Sequence, residues 1–447
     1  MRAGDDAIDR VDDWALFTDL YELTMLQAYH AEGLDGRAVF SLYFRTLPPQ
    51  RNFMLACGQA EAIARLAALR FGPASLEALA RLGFREDFLA ALEGFRFEGE
   101  VRAVPEGTPV FPWEPILEIE APLPAAQLAE TLVMNRVHLQ TTLASTAVRL
   151  RLAAGARTVV DFGMRRAMGA DAAVTGVRAY WIAGLDATSN VLGGLRHGVP
   201  VTGTMAHSYI QAHADEASAF RAFAGLYPDS TLLIDTYAPL AAVDRVIALV
   251  REGFRVRAVR LDSGDLEALS RAVRERLDAA GLRQVRIIAS GGLDEWRIAE
   301  LVARGAPIDA FGVGSHLAAG APGLDLCYKL VAYEGDGRFK ASPGKAIYPG
   351  AKQVWRIGAG EEAMHDRLAP WGAPGEGAPL LRPVWRDGRW LVEDFADAGR
   401  ARERAREAVA ALPPRIRALE PAAPPYRVVI DPALIDAQNA LRARIGQ

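Results

Sequence analysis

The 447-residue chain carries 51 Lys and Arg against 55 Asp and Glu, a formal charge of −4, with 51% hydrophobic and 24% charged residues. That balance excludes a mainly disordered chain and a general nucleic-acid binder, and no run approaches the ~18 uninterrupted apolar residues of a membrane-spanning helix. The opening MRAGDDAIDRVDDW is acidic where an export signal is basic then apolar, and two lone cysteines, Cys57 and Cys327, offer neither a disulfide framework nor a zinc site, so a cytoplasmic protein is expected.

At roughly 150 residues per domain the length predicts two or three domains. Residues 14–31 space their apolar side chains as a helix does, whereas VFSLYF (39–44) and the stretch from Phe97 through Val110 to Ile119 read as strands. An N-terminal α+β domain over 1–124 follows. From 125 to 328 helices alternate with short apolar runs: TVVDF (158–162), a weaker RAYWIAG (178–184), VPVTGT (199–204), TLLIDT (231–236), VRAVRLD (256–262), VRIIAS (285–290) and IDAFGVG (308–314). Their spacing fits one strand plus one helix, and most end in small or polar residues. Repeated units of this kind predict a parallel sheet in an irregular (β/α) barrel, with a doubly wound open sheet as the competing topology. The segment 329–447 becomes strand-like and rich in Gly and Pro, and is expected in part to complete the N-terminal domain; 397–412 reads as a helix. All four lysines, Lys329, Lys340, Lys345 and Lys352, fall in this region of an otherwise Arg-rich chain. Either coding bias or a need for flexible point charges at an anion accounts for them.

The strand ends carry the chemistry. In DFGMRRAMGADAA (161–173) Arg165 and Arg166 suit a carboxylate or pyrophosphate, which guanidinium groups bind bidentately, and Phe162 is placed to stack on a planar ring or to fill the core. His207 follows the run at 199–204 and could be a base, a ligand or a nucleophile. Asp235 ends LLIDT, and RLDSGDL (260–266) sets Arg260, Asp262 and Asp265 around Ser263 and Gly264. Carboxylates facing a cavity need a cation, so this ring of acids implies sugar hydroxyls, hydrated Mg²⁺ or a positively charged transition state. Ser263 or Asp265 is expected to cap the helix that follows. The last two runs end in ASGGLDE and GVGSHL, whose glycines let backbone N–H groups approach a ligand, the arrangement a phosphate monoester requires. Tight turns alone would also use these glycines.

Taken together, the ordered motifs resemble the nicotinate phosphoribosyltransferase family. The match runs from TDLYELTMLQAY (18–29) and LPPQRNFMLACG (47–58) through DFGMRRAMGADAA, GLDATSNVLGG (184–194), GTMAHSYIQAH (203–213), LLIDTYAP, RLDSGDL, SGGLDE and GVGSHL to KASPGKAIYPGAKQVWR (340–356). The resemblance implies a type II phosphoribosyltransferase fold, an irregular α/β barrel with a split N- and C-terminal domain, assembled as a homodimer with shared active sites. It implies a reaction of nicotinate with phosphoribosyl pyrophosphate, giving nicotinate mononucleotide and pyrophosphate, with Mg²⁺ and with ATP as co-substrate, in NAD salvage. By the same resemblance His207 is the histidine phosphorylated by ATP and Asp262 faces the ribose. Arg260 lies near nicotinate or phosphate groups, and Gly291, Gly292, Gly314 and Ser315 cradle the 5′-phosphate. Phe162 and Tyr21 of a neighbouring subunit sandwich the pyridine, and Arg165 holds its carboxylate or a phosphate. Ser189, where relatives that take nicotinamide resemble one another in having an aspartate, favours the acid. A nicotinamide or quinolinate enzyme, a non-catalytic nucleotide sensor and a sugar-phosphate aldolase are the alternatives. The last would want a strand-end lysine, which 125–328 lacks.

Overall fold

The computed structural model describes residues 14–320, 322–340, 347–358 and 364–444, so Lys345 and the ASPGKA part of its motif lie outside the described residues. The chain forms two compact units, Met1–Thr142 with Gly323–Gln447, and Leu143–Pro322. The division falls inside the 25-residue helix Glu130–Ala154, later than the change of texture at 125.

In the first unit an antiparallel sheet has Arg37–Phe44 at its centre, between Leu326–Tyr333 and Leu117–Pro122; Glu100–Ala103 then pairs with Leu117–Pro122 and with Arg382–Arg386. The C-terminal segment therefore supplies strands to both sides of N-terminal ones. Buried charge fixes this register. Glu118 is fully buried; it accepts from the Ser41 hydroxyl at 2.5 Å and from the Lys352 N–H at 3.2 and 3.1 Å, with Lys352 Nζ 3.5 Å away. Removing one partner from so buried a pair leaves an uncompensated charge, so the contact discriminates strongly against mispairing.

The first helix spans Leu20–Glu32 and starts later than the spacing predicts; Trp14 and Phe17 instead pack edge to face, 5.1 Å apart, in the preceding turn. Beside the exposed Tyr21, Glu22 is fully buried and accepts from Thr18 at 2.8 Å and from both the N–H and the hydroxyl of Thr131.

The second unit is a curled, parallel half-barrel. Its strand order is Ala187–Thr188, Thr158–Asp161, Ala310–Val313, Arg286–Ser290, Val256–Leu261, Ser230–Leu233. Five of the predicted runs are strands here. Two are not. RAYWIAG belongs to the helix Ala170–Ile182, which is buried on most sides and so shows an apolar run without a clear helical period. VPVTGT contributes a single parallel bridge, Val201 to Thr188, because Pro200 has no N–H to donate and Val201 is exposed at the edge. No described helix is long and apolar enough to cross a membrane.

Burial raises the Glu22 carboxyl to about 7, against the lowering effect of its threonine donors. A carboxyl raised in the folded state costs nothing below its unfolded pKa and destabilises increasingly as pH climbs through 7. Glu22→Gln should match the parent in thermal unfolding near pH 4 and exceed it at pH 8 by up to about 2 kcal/mol; equal melting at both pH values would refute this.

Candidate active site

At the C-terminal ends of the half-barrel strands the chain turns abruptly, and the turns dictate the site. Phe162 follows the strand Thr158–Asp161 and donates its N–H to Val313 O at 2.8 Å. Its ring lies against Gly312, where a Cβ would fall 2.3 Å from the ring. Only glycine at 312 lets the ring sit there. The loop behind it is anchored by the buried Asp161, which accepts from Gly163 N–H at 2.7 Å and from the Thr188 hydroxyl at 2.6 Å; burial nonetheless pushes its carboxyl up.

Three neighbouring strand ends meet at Asp262. Arg260 donates to Asp262 Oδ1 at 2.7 Å and to the Ser290 hydroxyl at 2.7 Å, and that hydroxyl donates to Asp262 Oδ1 at 2.6 Å. Burial alone would raise the Asp262 carboxyl, but Ser290 and Arg260 outweigh it and hold it below the usual carboxylate range. The Asp262 N–H and the Ser263 hydroxyl both donate to Asp235 Oδ2, at 2.8 and 2.6 Å, while Asp235 Oδ1 is buried with no donor among the described residues. Arg260 also lies over the Phe162 ring, 5.4 Å from its centroid. His207 places Nε2 3.8 Å from Asp262 Oδ2 and Nδ1 3.1 Å from the Thr236 hydroxyl.

Phe162, Arg165, Arg166, Arg260, Asp262, Gly291, Gly292, Gly314 and Ser315 line one cavity of about 330 Å³. His207 and Asp235 do not line it but touch Asp262, which does. Gly291 packs so closely on Asp262 that a Cβ would lie 1.9 Å from its carbonyl oxygen, at φ +83°. Asp265 is turned away to cap the helix Leu266–Ala279, accepting from Glu267 and Ala268 N–H, which is the capping use expected of Ser263 or Asp265. Ser189 donates its N–H to Asp161 O at 2.8 Å, one peptide from Phe162, and Tyr21 belongs to the other unit. Ser290, Thr236 and His316, which touch this machinery, were not singled out from sequence. Ser290 opens the SGG turn and could have been read there; Thr236 and His316 gain meaning only from partners 29 and about 20 residues away.

Comparisons with known proteins agree along the chain. The model of the nicotinate phosphoribosyltransferase N-terminal domain matches residues 16–138, and that of the nicotinate phosphoribosyltransferase family matches 158–331. The chain is 50% identical over 434 residues to nicotinate phosphoribosyltransferase pncB2 of Mycobacterium tuberculosis, covering 96% of this chain and 94% of that one. Against the Bacillus subtilis nicotinate phosphoribosyltransferase it is 41% identical over 360 residues, 77% of this chain and 74% of the relative. The crystal structure of human nicotinic acid phosphoribosyltransferase superposes with a TM-score of 0.84 at 29% identity, covering 95% of this chain and 99% of that chain.

Gly291→Ala combines a positive φ with a clash against backbone, so it should lower the stability of the chain by about 3 kcal/mol. Urea unfolding followed by circular dichroism measures this; a loss under about 1 kcal/mol would mean that the turn relaxes freely.

Proposed function

This chain belongs to the nicotinate phosphoribosyltransferase family and is an enzyme of that type, and we propose that its reaction, a step in recycling nicotinate into NAD, is coupled to ATP hydrolysis through His207. The observation that carries this is the placement of His207 against Asp262, which itself lines a cavity flanked by two glycine loops. Thr236 engages Nδ1 and so leaves Nε2 as the nitrogen that takes the γ-phosphoryl group, releasing ADP; water later removes it as phosphate.

In the pyridine-transfer step the bond from ribosyl C1 to pyrophosphate breaks and a bond to the nicotinate nitrogen forms. Positive charge grows at C1 between the two. Asp262, kept ionised by Arg260 and Ser290, faces that charge, and Asp235 shapes the same wall. The backbone of Gly291, Gly292 and Gly314, with Ser315, holds the 5′-phosphate. Phe162 stacks on the pyridine, Arg165 meets its carboxylate, and Tyr21 of a partner subunit closes the stack. Exposed apolar side chains support a homodimer with shared sites: Leu20 and Tyr21 in one unit, Val191, Leu192 and Leu195 in the other. A single monomeric species in sedimentation would remove that element.

Mg²⁺ suits the donor set. Asp235 keeps a buried, unpartnered Oδ1 and Asp262 adds a second carboxylate, while no cluster of three or more His, Cys, Asp or Glu among the described residues forms a full cage. A hydrated ion carried in on the polyphosphate needs only one or two protein carboxylates, and would offset charge on the departing pyrophosphate. We place the enzyme in the cytoplasm, where ATP and phosphoribosyl pyrophosphate are available.

Two variants test the reading. His207→Ala should lose ADP formation coupled to product while retaining some nicotinate mononucleotide and pyrophosphate synthesis, since the phosphohistidine does not bond to the sugar; unchanged ATP hydrolysis would disprove the role. Ser189→Asp should shift kcat/KM from nicotinate towards nicotinamide by at least about tenfold, because a carboxylate repels the acid and accepts an amide N–H. An unchanged ratio in parallel assays would free Ser189 of any part in selection.

A further inference from the structure

A buried ion triad ties the two glycine loops together, and the reaction as described leaves it without a role. Glu295 directly follows Asp294 at the end of the first loop and is 2% exposed. Its Oε1 accepts from Arg149 Nε at 2.9 Å, and its Oε2 lies 2.5 Å from Nε2 of His316, the residue after Ser315 in the second loop. Arg149 comes from the long helix Glu130–Ala154 and stacks over the Trp296 ring. On its other edge the imidazole is fitted against Gly320, where a Cβ would come within 2.7 Å of Nδ1.

Of the groups on Glu295, His316 also lines the cavity. Although burial would raise the Glu295 carboxyl, His316 and Arg149 beside it pull it far below the ordinary range. Five other charged groups face this corner. Asp294 caps its own helix through Oδ1; Arg165 and Arg166 lie on the turn packed against the second loop; Arg260 and Asp262 lie against the first loop, at Ser290 and Gly291.

We propose that His316 is a positioning residue for the sugar phosphate: through Glu295 it fixes Gly314 and Ser315 relative to Gly291 and Gly292. This rests on the reading of the cavity as a phosphate cradle. Affinity for phosphoribosyl pyrophosphate then depends on the contact between His316 and Glu295, while affinity for nicotinate does not.

The test compares the full-length parent enzyme with His316→Ala, with His316→Gln, which keeps a donor to Glu295, and with Ser315→Asp, which sets a carboxylate in the cradle. KM for each substrate and direct binding of phosphoribosyl pyrophosphate by calorimetry are the readouts. For His316→Ala the expected result is a KM for phosphoribosyl pyrophosphate raised about tenfold and a nicotinate KM within about twofold, with most of the loss recovered in His316→Gln. A parent-like KM for phosphoribosyl pyrophosphate in His316→Ala, or a nicotinate KM that rises with it, overturns the inference. If Ser315→Asp binds phosphoribosyl pyrophosphate as the parent does, the cradle reading itself fails; if it abolishes binding while His316→Ala is parent-like, the role of His316 alone fails.

Discussion

The carboxylate of Asp262 is the point on which the half-barrel site turns. A lone carboxylate at a partly buried strand end would be expensive, and here three adjacent strand ends converge to make it affordable. Arg260 and Ser290 fill one oxygen, and Asp235 receives the backbone N–H of Asp262 itself. These contacts also determine where everything else lies. With Asp262 fixed, Gly291 must be glycine, His207 has a charged neighbour, and Arg260 is held over the Phe162 ring.

The first unit solves a similar problem in its interior. Glu118 gathers Ser41, Lys352 and Arg102, and Asp366 gathers Arg356 and Tyr426 beside the fully buried Glu114, whose carboxyl is pushed well up by burial and by Asp366. Both clusters join residues near 40–120 to residues beyond 350. Hydrophobic burial forbids a strand slipped by one residue but would tolerate a slip of two, which keeps the same face inward; an unmatched buried charge would tolerate neither. The need for Lys352 is accounted for in this way, as a point charge inside the unit.

How legible all this was from sequence depended on range. The strands ending in LLID, RLD, IIAS and FGVG show as short apolar runs stopped by polar residues, and the meeting of Phe162, Arg165, Asp262, Gly291, Gly292, Gly314 and Ser315 around one cavity follows from them, since a parallel sheet brings successive strand ends together. Local signals failed where burial erased periodicity, as in Ala170–Ile182, and where a proline removed a ladder donor, as at Pro200. They were silent on pairings. That Ser290 would bridge Arg260 and Asp262, that Thr236 would engage His207, and that Glu295 would join His316 to Arg149 are consequences of strand order and of a helix some 150 residues earlier. The return of the C-terminal segment to the N-terminal sheet was visible only as a change in composition.

Charge is paired within the cavity. Arg165 and Arg166 stand on the turn beside the second glycine loop, while Asp262, tied to Arg260, lies against Gly291 of the first, with Asp235 accepting from its backbone. On the proposed reading of this cavity, the anionic ends of a substrate meet the guanidinium groups and the glycine loops, and a centre that becomes positive meets Asp262. Were the acids replaced by neutral groups of equal size, anionic ends would still bind, yet the growing charge at the centre would meet no counter-charge. Ground-state affinity and rate would then separate, because the two depend on different groups of the same cavity.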